Sequence, residues 1–245
     1  TYQGQGPDEI TIIGHVGIDE TNRRFFVSDH GKLKIFAYDL DSVLTTPEYQ
    51  PSVKIDMKKK LFPDDYLYLN DTLCIAKIIE PIGNNDYKPS VARWNMATEE
   101  INPMPYEYPD LKKVRFIYAA SAEHQLYVQC YTQYDLMTIC DFNGNLKCNI
   151  YGPKWVNEKT QTQHYSLGVE FCGDKILALY SGGDHRTDAY YPTKFLVFDL
   201  NGNYLKTLET GYMITDFCYD KENNRLIINL NDEIQFAYLD LEGII

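Results

Sequence analysis

The chain has 245 residues, with 23 Lys+Arg against 35 Asp+Glu and a formal net charge of −12. That length suits one large domain or two small ones, and 44% hydrophobic with 24% charged residues excludes wholesale disorder. The acidic balance lacks the positive footprint of a nucleic-acid binder, and no apolar run approaches the roughly 20 residues of a membrane-spanning helix.

Helical periodicity is almost absent. In chain order, alternating or β-branched and aromatic runs occupy residues 10–16, 24–28, 33–38, 66–69, 73–79, 91–96, 114–119, 125–131 and 136–140. They continue at 166–171, 175–180, 194–199, 213–219, 225–230 and 234–240, with outer strands expected at 146–151 and 204–208. Gly, Asn, Asp and Pro punctuate them, and 21 Tyr suit strands better than helices. The expectation is an all-β fold.

Two elements recur. An acidic or Asn-rich turn precedes a strand at Asp19-Glu20-Thr21-Asn22-Arg23-Arg24, at Ala122-Glu123-His124-Gln125 and at Asp220-Lys221-Glu222-Asn223-Asn224-Arg225. A strand ends in Asp and a turn at Tyr38-Asp39-Leu40, Cys140-Asp141-Phe142-Asn143-Gly144, Phe198-Asp199-Leu200-Asn201-Gly202 and Leu239-Asp240-Leu241-Glu242-Gly243, with Trp94-Asn95 a degenerate copy. A period of roughly 40–58 residues with three or four strands each fits β-propeller blades. Five units result, at 8–57, 64–108, 112–152, 164–210 and 212–245, within a single propeller domain spanning 1–245. A β-sandwich has a similar strand count, but the ordered recurrence favours the propeller. The segments 41–50 and 152–163 read as loop insertions.

Six cysteines show no C-x-x-C pair, so neither a zinc ribbon nor a redox motif is encoded. A two-residue turn at Asn143-Gly144 places Cys140 opposite Lys147 and Cys148 opposite Ile139, on different faces, so these two should not bond.

Gly4-Gln5-Gly6-Pro7-Asp8-Glu9, followed by a strand and then by residues 25–29 and 33–39, resembles the inter-blade signature of TolB-like six-bladed β-propellers. This group is common among lipoproteins of anaerobic gut bacteria. The resemblance implies an extracytoplasmic, periplasmic or outer-membrane-associated protein, with any membrane attachment through a lipid anchor ahead of Thr1. The family has a further blade's worth of chain before this linker. The final unit also ends after its third strand, so the expectation is an intact six-bladed ring larger than this chain by about one blade. Independently of family, Gly4, Gly6 and Pro7 read as a structural linker in which two glycines allow φ > 0 and Pro7 fixes the exit. A phosphate cradle would need a following helix and Lys, which are missing.

No pair among His15, His30, His124, His164 and His185 has i, i+4 spacing, so no metal-binding pattern and no catalytic residue is assigned. Tyr180-Ser181-Gly182-Gly183-Asp184 lacks the spacing of a nucleophile elbow. By analogy with other propellers, ligand-binding candidates near the channel mouth are His15, Tyr66, Arg115, Glu170 and Asp216. No cofactor is assigned, although Glu170 with Asp216 offers oxygen ligands suited to Ca²⁺; satisfied channel polars are the simpler reading. Tyr190, Tyr191 and Trp155 lie in loops too rich in Pro and Gly for core strands, and suit either a sugar or protein face or packing under the loops. Two functions follow. The first is a non-catalytic binding or scaffold propeller engaging a protein or glycan through loop aromatics. The second is a divalent-cation-dependent hydrolase or lactonase with its site at the channel mouth.

Overall fold

The structure is a computed structural model that describes residues 4, 6, 9–83, 86–187 and 190–245. It divides into two compact units, residues 1–105 and 106–245.

In the first unit, β1 (Ile13–Asp19), β2 (Arg24–Asp29), β3 (Lys34–Asp39) and β4 (Ser52–Asp56) form one antiparallel sheet. A short helix, α1 (Leu40–Thr45), lies between β3 and β4, capped by the Asp39 carboxylate accepting from the Ser42 N–H. A second sheet holds β5 (Phe62–Asn70), β6 (Leu73–Gly83), β7 (Asp86–Trp94) and β8 (Ile101–Pro103).

The second unit carries three sheets. The first holds β9 (Phe116–Ser121), β10 (Leu126–Tyr131), β11 (Leu136–Asp141) and β12 (Leu146–Tyr151). The next holds β13 (Thr162–Cys172), β14 (Lys175–Asp184), β15 (Lys194–Asp199) and β16 (Tyr204–Glu209). The last has three strands, β17 (Ile214–Asp220), β18 (Arg225–Leu230) and β19 (Phe236–Asp240). Every described pairing joins neighbours in sequence, so each sheet is a meander. The architecture is an all-β propeller of five blades.

The first strand of each blade is the inner one. Strand β1 packs on β5 in the first unit, and β9 on β13 and β13 on β17 in the second. Blades stack through apolar faces. Phe26, Ile35 and Met57 meet Tyr66, Ile78 and Trp94 in the first unit. In the second, Val128 and Ile139 meet Val169 and Ile176, while Leu177 and Phe195 meet Phe217 and Leu226. Ile176 and Leu177 point to opposite faces of β14, which is why that strand reads as a continuous apolar run. Each such side chain contributes about 1.5–3 kcal/mol on burial.

The turn chemistry follows the repeat. The Asp141 carboxylate accepts from the N–H groups of Asn143 and Asn145 and from the Asn145 amide, each at 2.9 Å. Asp199 does the same for Asn201 and Asn203 at 2.8–2.9 Å. This corrects the expected two-residue turn. Asp141 N–H bonds to Asn145 O, so three residues loop between them, with Gly144 at φ 78°. Cys140 therefore faces Leu146 rather than Lys147, while Cys148 does face Ile139; the bulge between the pairs restores the register. All six cysteines are free thiols.

Strands β4 and β8 and helix α1 are absent from the sequence expectation. The strands are short, polar outer strands with little periodicity, as edges tend to be. Residues 41–45, read as loop, form the body of α1. Strands β5 and β13 begin at Phe62 and Thr162, slightly before the expected units.

In the linker, Gly4 and Gly6 are described and Pro7 lies outside the described residues. The Glu9 carboxylate accepts from Gly6 N–H at 2.6 Å, and the Lys32 ammonium donates to the carbonyls of Gly6 and Glu9. A Cβ on Gly4 would lie 2.1 Å from Glu9 Oε2, so a larger residue there would push the Glu9 carboxylate aside.

Candidate functional site

Two polar junctions occupy the same step of the repeat. Each joins the loop after a blade's second strand to the start of the next blade's inner strand.

In the first unit that loop holds His30, and β5 supplies Asp64 and Asp65. His30 Nδ1 lies 3.9 Å from Asp64 Oδ1, whose other oxygen is 2.7 Å from Lys77 Nζ. His15, on β1, places Nδ1 2.9 Å from Asp65 Oδ1 and stacks obliquely on Tyr66 at 4.6 Å. The Tyr66 hydroxyl neighbours Ser28 in the buried wall, and burial pushes the phenol well above its ordinary range. The Nε2 atoms of both histidines are shielded from solvent without a hydrogen-bond partner. The loop is anchored by Asp29, fully buried, which accepts from the N–H groups of Thr11, Ile12, Gly31 and Lys32 at 2.9–3.2 Å. Burial alone would raise its pKa, but these donors hold it below the usual carboxylate value.

In the second unit the chemistry is exchanged: the loop carries the acid, Asp135, and β13 carries His164. Both side chains are 1% exposed. Asp135 Oδ1 lies 3.7 Å from His164 Nδ1, and the Tyr180 hydroxyl, 3.2 Å from that nitrogen, also reaches the carboxylate. Asp135 Oδ2 accepts from the Lys154 N–H at 2.9 Å. His164 Nε2 faces Thr160 Oγ1 at 3.5 Å. Burial lowers the imidazole pKa, with Asp135 opposing and Lys154 assisting.

Beside this junction lies an aromatic cluster. Trp155 contacts Tyr151 at 5.1 Å, Tyr108 at 5.8 Å and Tyr134 at 6.3 Å between ring centres. The hydroxyls of Tyr108 and Tyr151 are 3.3 Å apart, a bond that, with burial, pushes the Tyr108 phenol up to about 12. Tyr134 is buried, Trp155 and Tyr108 are half-buried, and Tyr151 is 50% exposed. The cluster therefore has a packed base and an open rim.

The structure brings some sequence candidates together. His15 meets Tyr66 in the first unit. In the second, Glu170 on β13 and Asp216 on β17 both raise the pKa of the Cys218 thiol, behind burial as the main cause. Burial also raises Asp216 itself, against one bond accepted from Phe217 N–H at 2.8 Å. Arg115, just before β9, donates to Val114 O at 2.8 Å. Tyr190 and Tyr191 pair with each other at 4.2 Å, while Trp155 joins the cluster above. Among the described residues, no three His, Cys, Asp or Glu side chains form a group able to hold a metal ion. Asp135, Tyr180, Asp64 and Asp65 were not singled out from sequence. The available signal was Asp135 itself, an acid inside the otherwise apolar and aromatic run 134–137.

Comparison with known proteins agrees with this architecture. Residues 1–72 match the profile of a family described as a 6-bladed beta-propeller, DUF5128. No curated protein sequence matches significantly. Among solved structures, a DUF4221 member from Bacteroides vulgatus is similar at TM-score 0.66 and 12% identity, over 97% of this chain and 80% of that one. The extracellular domain of BT4673, described as a candidate one-component system of B. thetaiotaomicron, is similar at TM-score 0.59 and 10% identity over 94% of this chain. This chain spans only 28% of that domain's chain. A chain of a nidogen/laminin complex is similar at TM-score 0.58 and 11% identity, over 94% of this chain and 76% of that one.

Proposed function

We propose that this chain is a non-catalytic binding or scaffold propeller of the TolB-like kind, acting outside the cytoplasm and engaging a protein or glycan through its loop aromatics. The observation that carries the reading is the open rim of Tyr151, Tyr108 and Trp155 on a rigid packed base. Aromatic rings with polar tips, held in place before a ligand arrives, gain contact area at small entropic cost. The extracellular setting of one structural neighbour supports the location, as does the linker resemblance; a lipid anchor belongs to the same proposal.

The test is binding of the full chain to a panel of soluble glycans and to extracellular protein fractions, with Tyr151→Ala and Trp155→Ala in parallel. Loss of binding by about tenfold or more in both variants is expected, as for hot-spot aromatics. Unchanged binding would move the ligand away from this cluster. A stoichiometric divalent ion accompanied by turnover of a lactone or glycoside would replace the binding reading with the hydrolytic one. Native protein in the cytosolic fraction would overturn the location.

A further inference from the structure

We propose that Asp135 is a positioning residue for the aromatic cluster, and that protonation of His164 releases its hold, making the cluster acid-labile. The reading of the cluster as a binding face supplies the biological consequence, but the argument and its test need no ligand.

The connection between β12 and β13 carries Trp155, and Asp135 ties it down. Asp135 O accepts from Gly152 N–H at 2.8 Å, and Asp135 Oδ2 accepts from Lys154 N–H at 2.9 Å. Lys154 directly precedes Trp155, so this carboxylate fixes the backbone that aims the indole at Tyr151 and Tyr108. Tyr134, on the neighbouring residue of the same loop, forms the floor under Trp155, and its hydroxyl donates to Lys112 O at 2.8 Å. A Cβ on Gly152 would lie 2.2–2.3 Å from three atoms of the Asp135 carboxyl group, so the approach leaves no slack.

The His164 ring is sealed from water, so a charge on it is met only by the groups around it. An imidazolium has two N–H donors and needs an acceptor for each. Nδ1 faces Asp135 Oδ1 at 3.7 Å, too long for a hydrogen bond, with the Tyr180 hydroxyl close beside it. Nε2 faces Thr160 Oγ1 at 3.5 Å, a hydroxyl that donates to Gln133 O at 3.1 Å and offers Nε2–H only a long, weak acceptor. The charged groups around the ring are Asp135 from the β10–β11 loop and Lys154 from the β12–β13 connection. Tyr180 on β14 and Tyr165 on β13 are neutral phenols, and Lys194 on β15 lies over the Tyr180 ring at 5.8 Å. Burial and Lys154 outweigh Asp135, so the ring takes up a proton only at lower pH than an exposed histidine. Once charged, the ring attracts the Asp135 carboxylate, whose Oδ1 lies 3.7 Å from Nδ1, and closing that distance draws Asp135 Oδ2 away from Lys154 N–H.

The test is ¹⁹F NMR of the full chain labelled with 5-fluorotryptophan, which has two indoles, Trp94 and Trp155, assigned through Trp155→Phe. Between about pH 7.5 and about pH 5 the Trp155 resonance should shift or broaden with the midpoint of the His164 ring protons, below the ordinary histidine value of about 6.5. The Trp94 resonance should stay in place over that range. His164→Gln should leave Trp155 insensitive to pH. A Trp155 signal that ignores pH, or responds equally in His164→Gln, would overturn the proposal. If that variant does not fold, the wild-type chain decides: a His164 midpoint at or above the ordinary value, or one that differs from the Trp155 midpoint, has the same effect.

Discussion

The two His–carboxylate junctions share a step of the repeat and differ in what surrounds them. In the first unit, the His15 and Asp65 side chains are 24% and 37% exposed, and Lys77 balances Asp64. Water screens these pairs, so they contribute little to stability and can rearrange at small cost. In the second unit the same residue types are 1% exposed, and hydroxyls from Tyr180 and Thr160 face the imidazole nitrogens. A junction sealed in this way acts as a structural clamp, and errors in it are costly. The difference in burial, more than in residue type, decides which junction is a surface and which is a switch.

Filling the glycine beside each junction sharpens that contrast most. Gly152→Ala forces a Cβ to within 2.2–2.3 Å of the buried Asp135 carboxyl group, which has nowhere to go. A loss of about 3 kcal/mol is expected by chemical denaturation. Gly14→Ala meets His30 Nε2 at 2.3 Å, but that ring is 23% exposed and can swing away, so about 1 kcal/mol is expected. Equal losses would show that the two junctions are equally rigid.

Removing each acid comes next. Asp135→Ala strands the Lys154 N–H without its acceptor and should cost about 2 kcal/mol. Asp64→Ala breaks a screened contact to Lys77 and should cost less than about 1 kcal/mol. A larger loss from Asp64→Ala, read from the same denaturation curves, would reverse the comparison.

The pH profile separates the junctions further. The folded pKa of His164 lies below its unfolded value, so below about pH 6.5 the unfolded chain binds more protons. Stability of the second unit should therefore fall as pH drops through that window, and His164→Gln should flatten the slope. Asp29 in the first unit is shifted the other way relative to its charge: against its burial, backbone N–H donors hold its carboxylate below the usual carboxylate value. Its contribution is present above that value and is lost only as pH falls below it. Stability curves with identical acid midpoints for wild type and His164→Gln would remove His164 from the account.

How far the sequence foretells this depends on whether the signal is local. The start of strand β12 is legible because Asp141, Asn143 and Gly144 encode a turn before it, and the repeat of that turn at Asp199 exposes the blade period. The bulge after Cys140 was not legible, because it depends on which N–H groups Asp141 captures. Helix α1 is too short to show periodicity, and its Asp39 cap looks like any other strand-ending Asp. His15 and Tyr66 were found as inner-strand polars and do meet. Asp135 and His164 lie 29 positions apart and acquire meaning only when blades stack, which no local pattern reports.

The smallest expected effect concerns the rim beside the sealed junction. Tyr151→Phe removes one hydroxyl of the 3.3 Å Tyr108–Tyr151 contact and keeps the ring that packs on Trp155 at 5.1 Å. Because Tyr151 is 50% exposed, water replaces the lost partner, and stability should change by about 0.5 kcal/mol or less. The titration of Tyr108 is the sensitive readout. Its pKa near 12 comes first from the hydrogen bond to Tyr151 and second from burial, so in Tyr151→Phe it should fall toward the ordinary phenol range. The difference absorbance of tyrosinate, followed in the Tyr151→Phe and wild-type chains, measures this directly. An unchanged Tyr108 would mean that burial alone sets its value and that the rim is as sealed as the junction beneath it, with no open edge above a closed base.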